Sequence, residues 1–260
     1  LNEEQYLRAL EENYEAMVAA ARNGLEPQVP GCPDWSVGAL MGHMIAVYAA
    51  WAWRVGGGTG EEIPDEQVDR FPGYLLWLEA GLPRESTPPA VLSWLDTAYG
   101  ELNEGLTRAD PADPVGTWFP PDQTAGFVQR RMAHETAVHR WDAQSAHGEP
   151  EQIEPELARD GIDEMLDVHL PMHRVWLEPR ANAGERYHFH RIDGDGEWLV
   201  VFDPSGEVQV STEHAKGDVA IRGTASDLLL WLWGRVPSDR LEVIGDRGLA
   251  ERWFELVPAD

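Results

Sequence analysis

The run Arg131-Met132-Ala133-His134-Glu135-Thr136-Ala137-Val138-His139-Arg140-Trp141-Asp142 brings imidazoles and carboxylates together over a few turns of chain. Such side chains bind divalent metal ions and move protons. In a zincin, two histidines four residues apart share a helical face and one ion. His134 and His139 are instead five apart, about 140° round a helix of about 3.6 residues per turn, and cannot easily share an ion. Glu135 and His139 are four apart, offset by about 40°, and can. Geometry therefore rejects the zincin arrangement and keeps a Glu135/His139 pair.

Two ligands from one helix need a third from elsewhere. His43 is the best candidate, because it lies among Leu40, Met44 and Val47 on the apolar stripe of an earlier helix. A histidine in that setting is commonly a satisfied core residue. A carboxylate facing a bundle interior is costly unless paired or coordinated, so a salt bridge from Glu135 to an arginine competes with metal binding. Three mixed His/Glu ligands leave an open position, the pattern of catalytic rather than structural zinc. His134, turned about 100° from Glu135, falls behind the ligands or at the surface. Asp142, three residues after His139, can accept the other ring N–H of that histidine. His169, His173, His188, His190 and His214 have no ligand-like context near this motif. Cys32 precedes a helix N-terminus, which favours a thiolate, but is expected to be a buried structural thiol.

The elements that must position these groups read in two halves. Apolar and aromatic residues at Tyr6, Leu7, Leu10, Tyr14, Met17, Val18 and Ala21 give a helix over Glu3 to Arg22. A second helix starts at Ser36 as N-cap and stops at Gly56-Gly57-Gly58. A long connection from about Val55 to Pro89, with a short helix near Tyr74 to Ala80, leads to a third helix over Ala90 to Leu106 and a fourth over Thr124 to Ala146. Four helices with one long crossover fit a bundle in which the second and third run parallel. After Pro150 the pattern changes. An amphipathic helix over Glu154 to Val175 is interrupted or ended near Pro171. Short β-like runs follow at Arg186 to Ile192, Trp198 to Phe202, Val208 to Ser211 and Val219 to Arg222, separated by turn-forming residues. An apolar helix from Ala225 to Trp233, ended by Gly234, and a last helix near Gly248 to Leu256 complete a small α+β domain.

Composition narrows the function classes. The chain has 260 residues, 43% hydrophobic, enough for one large domain or two modest ones. Its formal charge is −26, with 46 acidic and 20 basic residues. That field repels phosphate backbones and anionic membrane surfaces, which argues against nucleic-acid and membrane partners. No run reaches the roughly 20 apolar residues of a membrane span. Glu3, Glu4, Glu11, Glu12 and Glu15 make the first helix unlike a signal or transit peptide. A single cysteine suits a reducing cytoplasm.

Three stretches resemble a known family. They are Val29-Pro30-Gly31-Cys32-Pro33-Asp34-Trp35-Ser36-Val37 followed by Gly42-His43, then Ala133-His134-Glu135-Thr136-Ala137-Val138-His139-Arg140, and finally Ile221-Arg222-Gly223-Thr224-Ala225-Ser226-Asp227 running on through Leu228-Leu229-Leu230-Trp231-Leu232-Trp233-Gly234-Arg235. In this order they resemble the mycothiol-dependent maleylpyruvate isomerase family and bracket almost the whole chain. The resemblance implies an α+β protein, with a DinB-like metal-binding four-helix bundle over residues 1–150 and an SCP2-like α+β domain over 151–260. It implies a divalent ion, zinc by expectation, on His43, Glu135 and His139. It also implies a catalytic arginine from the C-terminal domain, carried onto Arg235 with Arg222 as the alternative. The implied activity adds a low-molecular-weight thiol, mycothiol, to an electrophilic small molecule, as an isomerase or a thiol S-transferase. The other readings are a non-catalytic metal- or small-molecule-binding protein and a thiol-independent, metal-dependent hydrolase.

Overall fold

Helix α1 (Glu3–Ala21) begins where Asn2 and Gln5 cap one another, the Asn2 side chain accepting from the Gln5 N–H and the Gln5 side chain from the Asn2 N–H. This reciprocal cap satisfies two N–H groups that a helix start leaves without intrahelical partners. The computed structural model describes residues 1–59, 63–64, 88–148, 150–176, 180–205 and 207–258. The short helix expected near Tyr74 to Ala80 lies outside them. Among the described residues the chain is α+β and divides into two units, Leu1–Glu151 and Gln152–Asp260.

In the first unit, strands β1 (Gln28–Val29) and β2 (Cys32–Ser36) form a small antiparallel ribbon. Ser36 then caps α2 (Val37–Val55), its hydroxyl accepting from the Ala39 N–H. The glycines after Val55 end α2 as expected, with Gly57 at φ +88°, a conformation cheap only for glycine. Helices α3 (Pro88–Arg108) and α4 (Ala125–Ser145) complete the bundle, α4 being capped by Thr124. The direction of each helix follows from its neighbours. Tyr48 lies beside Tyr99 and Val55 beside Gly105, so α2 and α3 run parallel, as the long crossover predicts. His43 meets His139, while Trp51 meets Phe127, so α2 and α4 run antiparallel. Tyr6 packs near His134 and Arg140 donates to Asn13, which sets α1 parallel to α4.

The core of this unit is built from Leu10, Met17, Leu40, Met44, Leu95 and Leu102, all without exposed surface. A polar seam crosses it. The Tyr48 hydroxyl is bonded to Thr136 Oγ1 at 2.8 Å, Tyr14 stacks on Tyr99, and the Tyr14 hydroxyl bonds the Asp96 carboxylate. Burial and the neighbouring acids push the Tyr14 and Tyr99 phenols well above their ordinary values, so both stay neutral. Helix α4 is buried around most of its circumference although it carries Gln129, Arg131, His134, His139, Arg140 and Asp142. Those side chains find partners inside the bundle, which makes burial tolerable.

The second unit opens with α5 (Pro155–Glu164), a π-helical turn over Met165–His169, and α6 (Leu170–Trp176). The interruption expected at Pro171 is this wider turn. Proline lacks the N–H that the next helical bond needs, and the chain adapts in the preceding turn with a Leu170 N–H to Met165 carbonyl bond. Strands β3 (Arg186–Arg191), β4 (Glu197–Phe202), β5 (Val208–Ser211), β6 (Val219–Gly223) and β7 (Glu242–Gly245) form one mixed sheet in the order β5-β4-β3-β6-β7. The β3/β6 pair is parallel and the others are antiparallel. β7 was not expected from the sequence. Between β6 and β7 lies α7 (Ala225–Leu232), and α8 (Arg247–Leu256) follows β7.

Alternation along the strands gives the sheet two unlike faces. Tyr187 and Phe189 point to the inner face, where Trp253 of α8 lies 5.1 Å from both rings and Trp231 of α7 lies 6.1 Å from Phe189. These rings are fully buried, and truncating one such aromatic costs about 3–5 kcal/mol. His188 and His190 point to the opposite face. No helix among the described residues is long and apolar enough to cross a membrane.

Candidate metal centre

Antiparallel packing of α2 against α4 brings three side chains to one point. His43 Nε2 stands 3.1 Å from Glu135 Oε1, and His139 Nε2 stands 3.3 Å from the same oxygen. One ligand atom from each residue lies within 4.8 Å of the other two. Zinc bonds of about 2.0–2.1 Å arranged tetrahedrally place neighbouring ligand atoms about 3.3 Å apart. Both measured spacings are close to that edge, so the residues present fit a divalent ion.

The supporting contacts hold these ligands in their roles. His139 Nδ1 lies 2.9 Å from Asp142 Oδ2, and Asp142 is fully buried. A carboxylate there favours the proton on Nδ1 and turns the Nε2 lone pair toward Glu135. Arg131, one turn before Glu135 and 3% exposed, donates to Glu135 Oε2 at 2.7 Å. The arginine salt bridge that competed with metal binding in the sequence is therefore present together with the ligand geometry. One carboxylate oxygen faces Arg131 and the other faces the two imidazoles.

Electrostatics follow from the same contacts. Burial alone would raise the Glu135 carboxyl, but the charges of His139 and Arg131 and hydrogen bonds from both histidines hold it well below the carboxylate range. Burial alone would lower His139, but Glu135 and Asp142 lift it to about 9. Without an ion the pair is thus a carboxylate and an imidazolium, and a bound cation would take the place of the imidazolium proton.

The site is reachable from solvent, since the His43 and Glu135 side chains are 24% and 19% exposed. The β2 strand lies across it. The Trp35 ring stands 4.9 Å from the His43 ring and 6.4 Å from that of His139, forming an apolar wall. Cys32 is half-buried rather than buried, and its Sγ lies 3.9 Å from Asp142 Oδ2. It belongs to the surroundings of the site, which corrects the expectation of a core thiol. His134 is not at the surface. It is 2% exposed, and its ring packs edge-on near Tyr6 of α1.

Sequence reasoning missed Arg131 and Trp35 at this site. Arg131 carried a signal, its spacing of four residues from Glu135. Trp35 carried none, because its place depends on how β2, which runs directly into α2, lies against α4. In the second unit, the Arg235 N–H donates to the Leu230 carbonyl and its guanidinium to the Trp233 carbonyl. It follows Gly234, whose φ of +69° ends α7. Arg222 on β6 is bridged to Glu242 at 2.6 Å. Also in this unit, His188, His190 and His214, set aside in the sequence, converge on Glu197.

Two family profiles match the chain. The one described as Mycothiol maleylpyruvate isomerase N-terminal domain matches residues 7–144, and the one described as MDMPI C-terminal domain matches residues 156–252. The fold is similar to crystal structures of the mycothiol-dependent maleylpyruvate isomerase and of a histidine-to-alanine mutant of it. Each aligns with a TM-score of 0.60 at 14% identity, over 94% of this chain and 93% of that chain. No curated protein matches the chain by sequence.

Proposed function

The chain belongs to the mycothiol maleylpyruvate isomerase family, and from that premise we propose that it is a metal- and thiol-dependent isomerase. Its substrate is a small electrophile such as maleylpyruvate, and its thiol is mycothiol. The observation that carries this reading is the meeting of His43, Glu135 and His139 within 4.8 Å, with Asp142 behind the His139 ring. These three residues would hold the ion, and nitrogen and carboxylate donors with an open position suit zinc. When bound, the ion supplies a Lewis-acid position at which a thiol ionises near neutral pH.

The chain's own residues do the rest. Asp142 fixes the His139 tautomer, and Arg131 holds Glu135 in place through its second oxygen. Trp35 keeps one side of the site apolar, which limits water beside a reactive thiolate. The thiolate forms a C–S bond to one carbon of a conjugated C=C, whose π pair moves onto the adjacent carbonyl. The former double bond, now single, rotates. Return of the electron pair re-forms C=C, breaks C–S and expels the thiolate. The thiol is regenerated and no atoms are gained or lost. Arg235 is assigned to clamp a substrate carboxylate or the negative charge that develops on addition, since a guanidinium fork matches both. Arg222, held by Glu242, is the second candidate.

The test is turnover of maleylpyruvate and a panel of electrophiles by zinc-loaded protein, with and without mycothiol. Isomerisation only with the thiol is expected. A released thiol conjugate would make the protein an S-transferase. Turnover without thiol would make it a hydrolase, and no turnover with any electrophile would leave a binding protein.

A further inference from the structure

The outer face of the second unit's sheet gathers ligand atoms that the bundle site does not use. His188 and His190 share that face because they are two apart on β3, and strand pairing sets Glu197 of β4 opposite His190. His214 joins them from the connection between β5 and β6. Glu197 Oε1 lies 2.9 Å from His190 Nδ1, while Oε2 lies 3.1 Å from His188 Nε2 and 2.5 Å from His214 Nδ1. One ligand atom from each of the four residues lies within 4.8 Å of all the others.

We infer that His188, His190, Glu197 and His214 bind a divalent transition-metal ion, built from residues different from those of the bundle site. Three imidazole nitrogens and one carboxylate oxygen complete a four-coordinate shell, and imidazole-rich sets select zinc, copper or nickel over magnesium or calcium. The carboxylate-to-imidazole spacings of 2.9, 3.1 and 2.5 Å would open to the edge of about 3.3 Å that zinc imposes, with the largest movement at the exposed His214. With neutral rings the cluster carries one negative charge, on Glu197, inside a chain of net charge −26. That field favours a cation.

A cleft of about 740 Å³ adjoins the cluster and is bordered by His190, Glu197, Thr212 and His214. Its arginines do not oppose a cation with full charge, because each is already held by a carboxylate. Arg191 bridges Glu156 and Asp193, Arg159 bridges Asp163, and Arg222 bridges Glu242. Burial grades across the ligands. His188 is buried, His190 and Glu197 are half-buried, and the His214 side chain is 80% exposed. The ion would therefore close on three sheet residues and pin the β5–β6 connection through the fourth.

The test is stoichiometry on the full chain. Metal-stripped protein is titrated with zinc alone, followed by calorimetry and by elemental analysis after desalting. Two ions per chain are expected in the natural sequence, and one in the His188→Gln/His190→Gln variant. Glu135→Gln, which disables the bundle site, should also keep one, so the ion it retains reports the sheet cluster alone. His214→Gln changes an exposed side chain and should weaken that retained ion at least about tenfold. A single ion in the natural sequence, lost with Glu135→Gln, would overturn the inference. So would two ions in a folded His188→Gln/His190→Gln variant. Where that variant does not fold, unchanged affinity in His214→Gln combined with Glu135→Gln overturns it instead.

Discussion

The two histidine–carboxylate groups rest on different scaffolds. His43, Glu135 and His139 project from two packed helices, and buried Asp142 and Arg131 fix the orientation of the ligands. His188, His190 and Glu197 project from paired strands, and their fourth member, His214, hangs from an exposed connection. The helical group is braced before any ion arrives, so it has little ordering entropy to lose. The sheet group must order His214 to complete its shell. Binding at the first should be tight and coupled to protonation, while binding at the second should be weaker and easily tuned.

The sharpest way to break this contrast is to remove the shared carboxylate of each group. Glu135→Gln should lose the bundle ion and at least about a thousandfold of thiol-dependent turnover, because the ligand set falls to two imidazoles. It also removes the carboxylate to which buried Arg131 donates, so circular dichroism must show a native fold. His43→Gln, at a half-buried position, serves as the second variant and should behave alike. Glu197→Gln should remove the sheet ion with turnover within about twofold of the natural chain. Equal losses from both carboxylates would erase the distinction.

A smaller effect is expected behind the ligands. Asp142→Asn should lower zinc affinity of the bundle site about 10- to 100-fold, since the amide no longer fixes the His139 tautomer. Competition with a chromophoric chelator measures it. The same substitution should leave the sheet ion unchanged.

Protonation separates the sites further. His139 has its folded value raised to about 9 from an ordinary 6.5. In metal-free protein its stabilising contribution is thus complete below the ordinary value and is lost as pH rises through about 9. Glu135 is depressed, so its contribution is present above its ordinary 4.5 and is lost as pH falls through its lower folded value. The urea midpoint of stripped protein should therefore fall from pH 6.5 toward 9, whereas zinc-loaded protein should change less, because the ion replaces the proton. Calorimetry in buffers of different ionisation enthalpy should find about one proton released per bundle ion near pH 7.5. No proton release would contradict the ion pair of Glu135 and His139 in metal-free protein.

The same contrast explains what could be read from sequence. Glu135/His139 and Asp142 were legible because helical spacing is local and needs no knowledge of other elements. The parallel course of α2 and α3 followed from the length of the crossover. His43 emerged from its place on an apolar stripe together with the family resemblance. A bridge from Glu135 to an unspecified arginine was legible as an alternative to metal binding, but a carboxylate has two oxygens, and the structure uses one for Arg131 and one for the imidazoles. The sheet cluster was not legible, because the meeting of Glu197 with His190 depends on strand register and that of His214 on a connection's path. The burial of α4 was not legible either, because partners such as the Leu106 carbonyl for Gln129 and Asn13 for Arg140 come from other elements. The missed β7 is short and largely exposed, so it carries little apolar pattern.

The most direct test of the account is spectroscopic. Cobalt-loaded His188→Gln/His190→Gln protein, which isolates the bundle site, should develop a sulfur-to-cobalt charge-transfer band when mycothiol is added, and Glu135→Gln should not. A spectrum that mycothiol leaves unchanged in the first variant would contradict a thiol-binding metal centre at His43, Glu135 and His139.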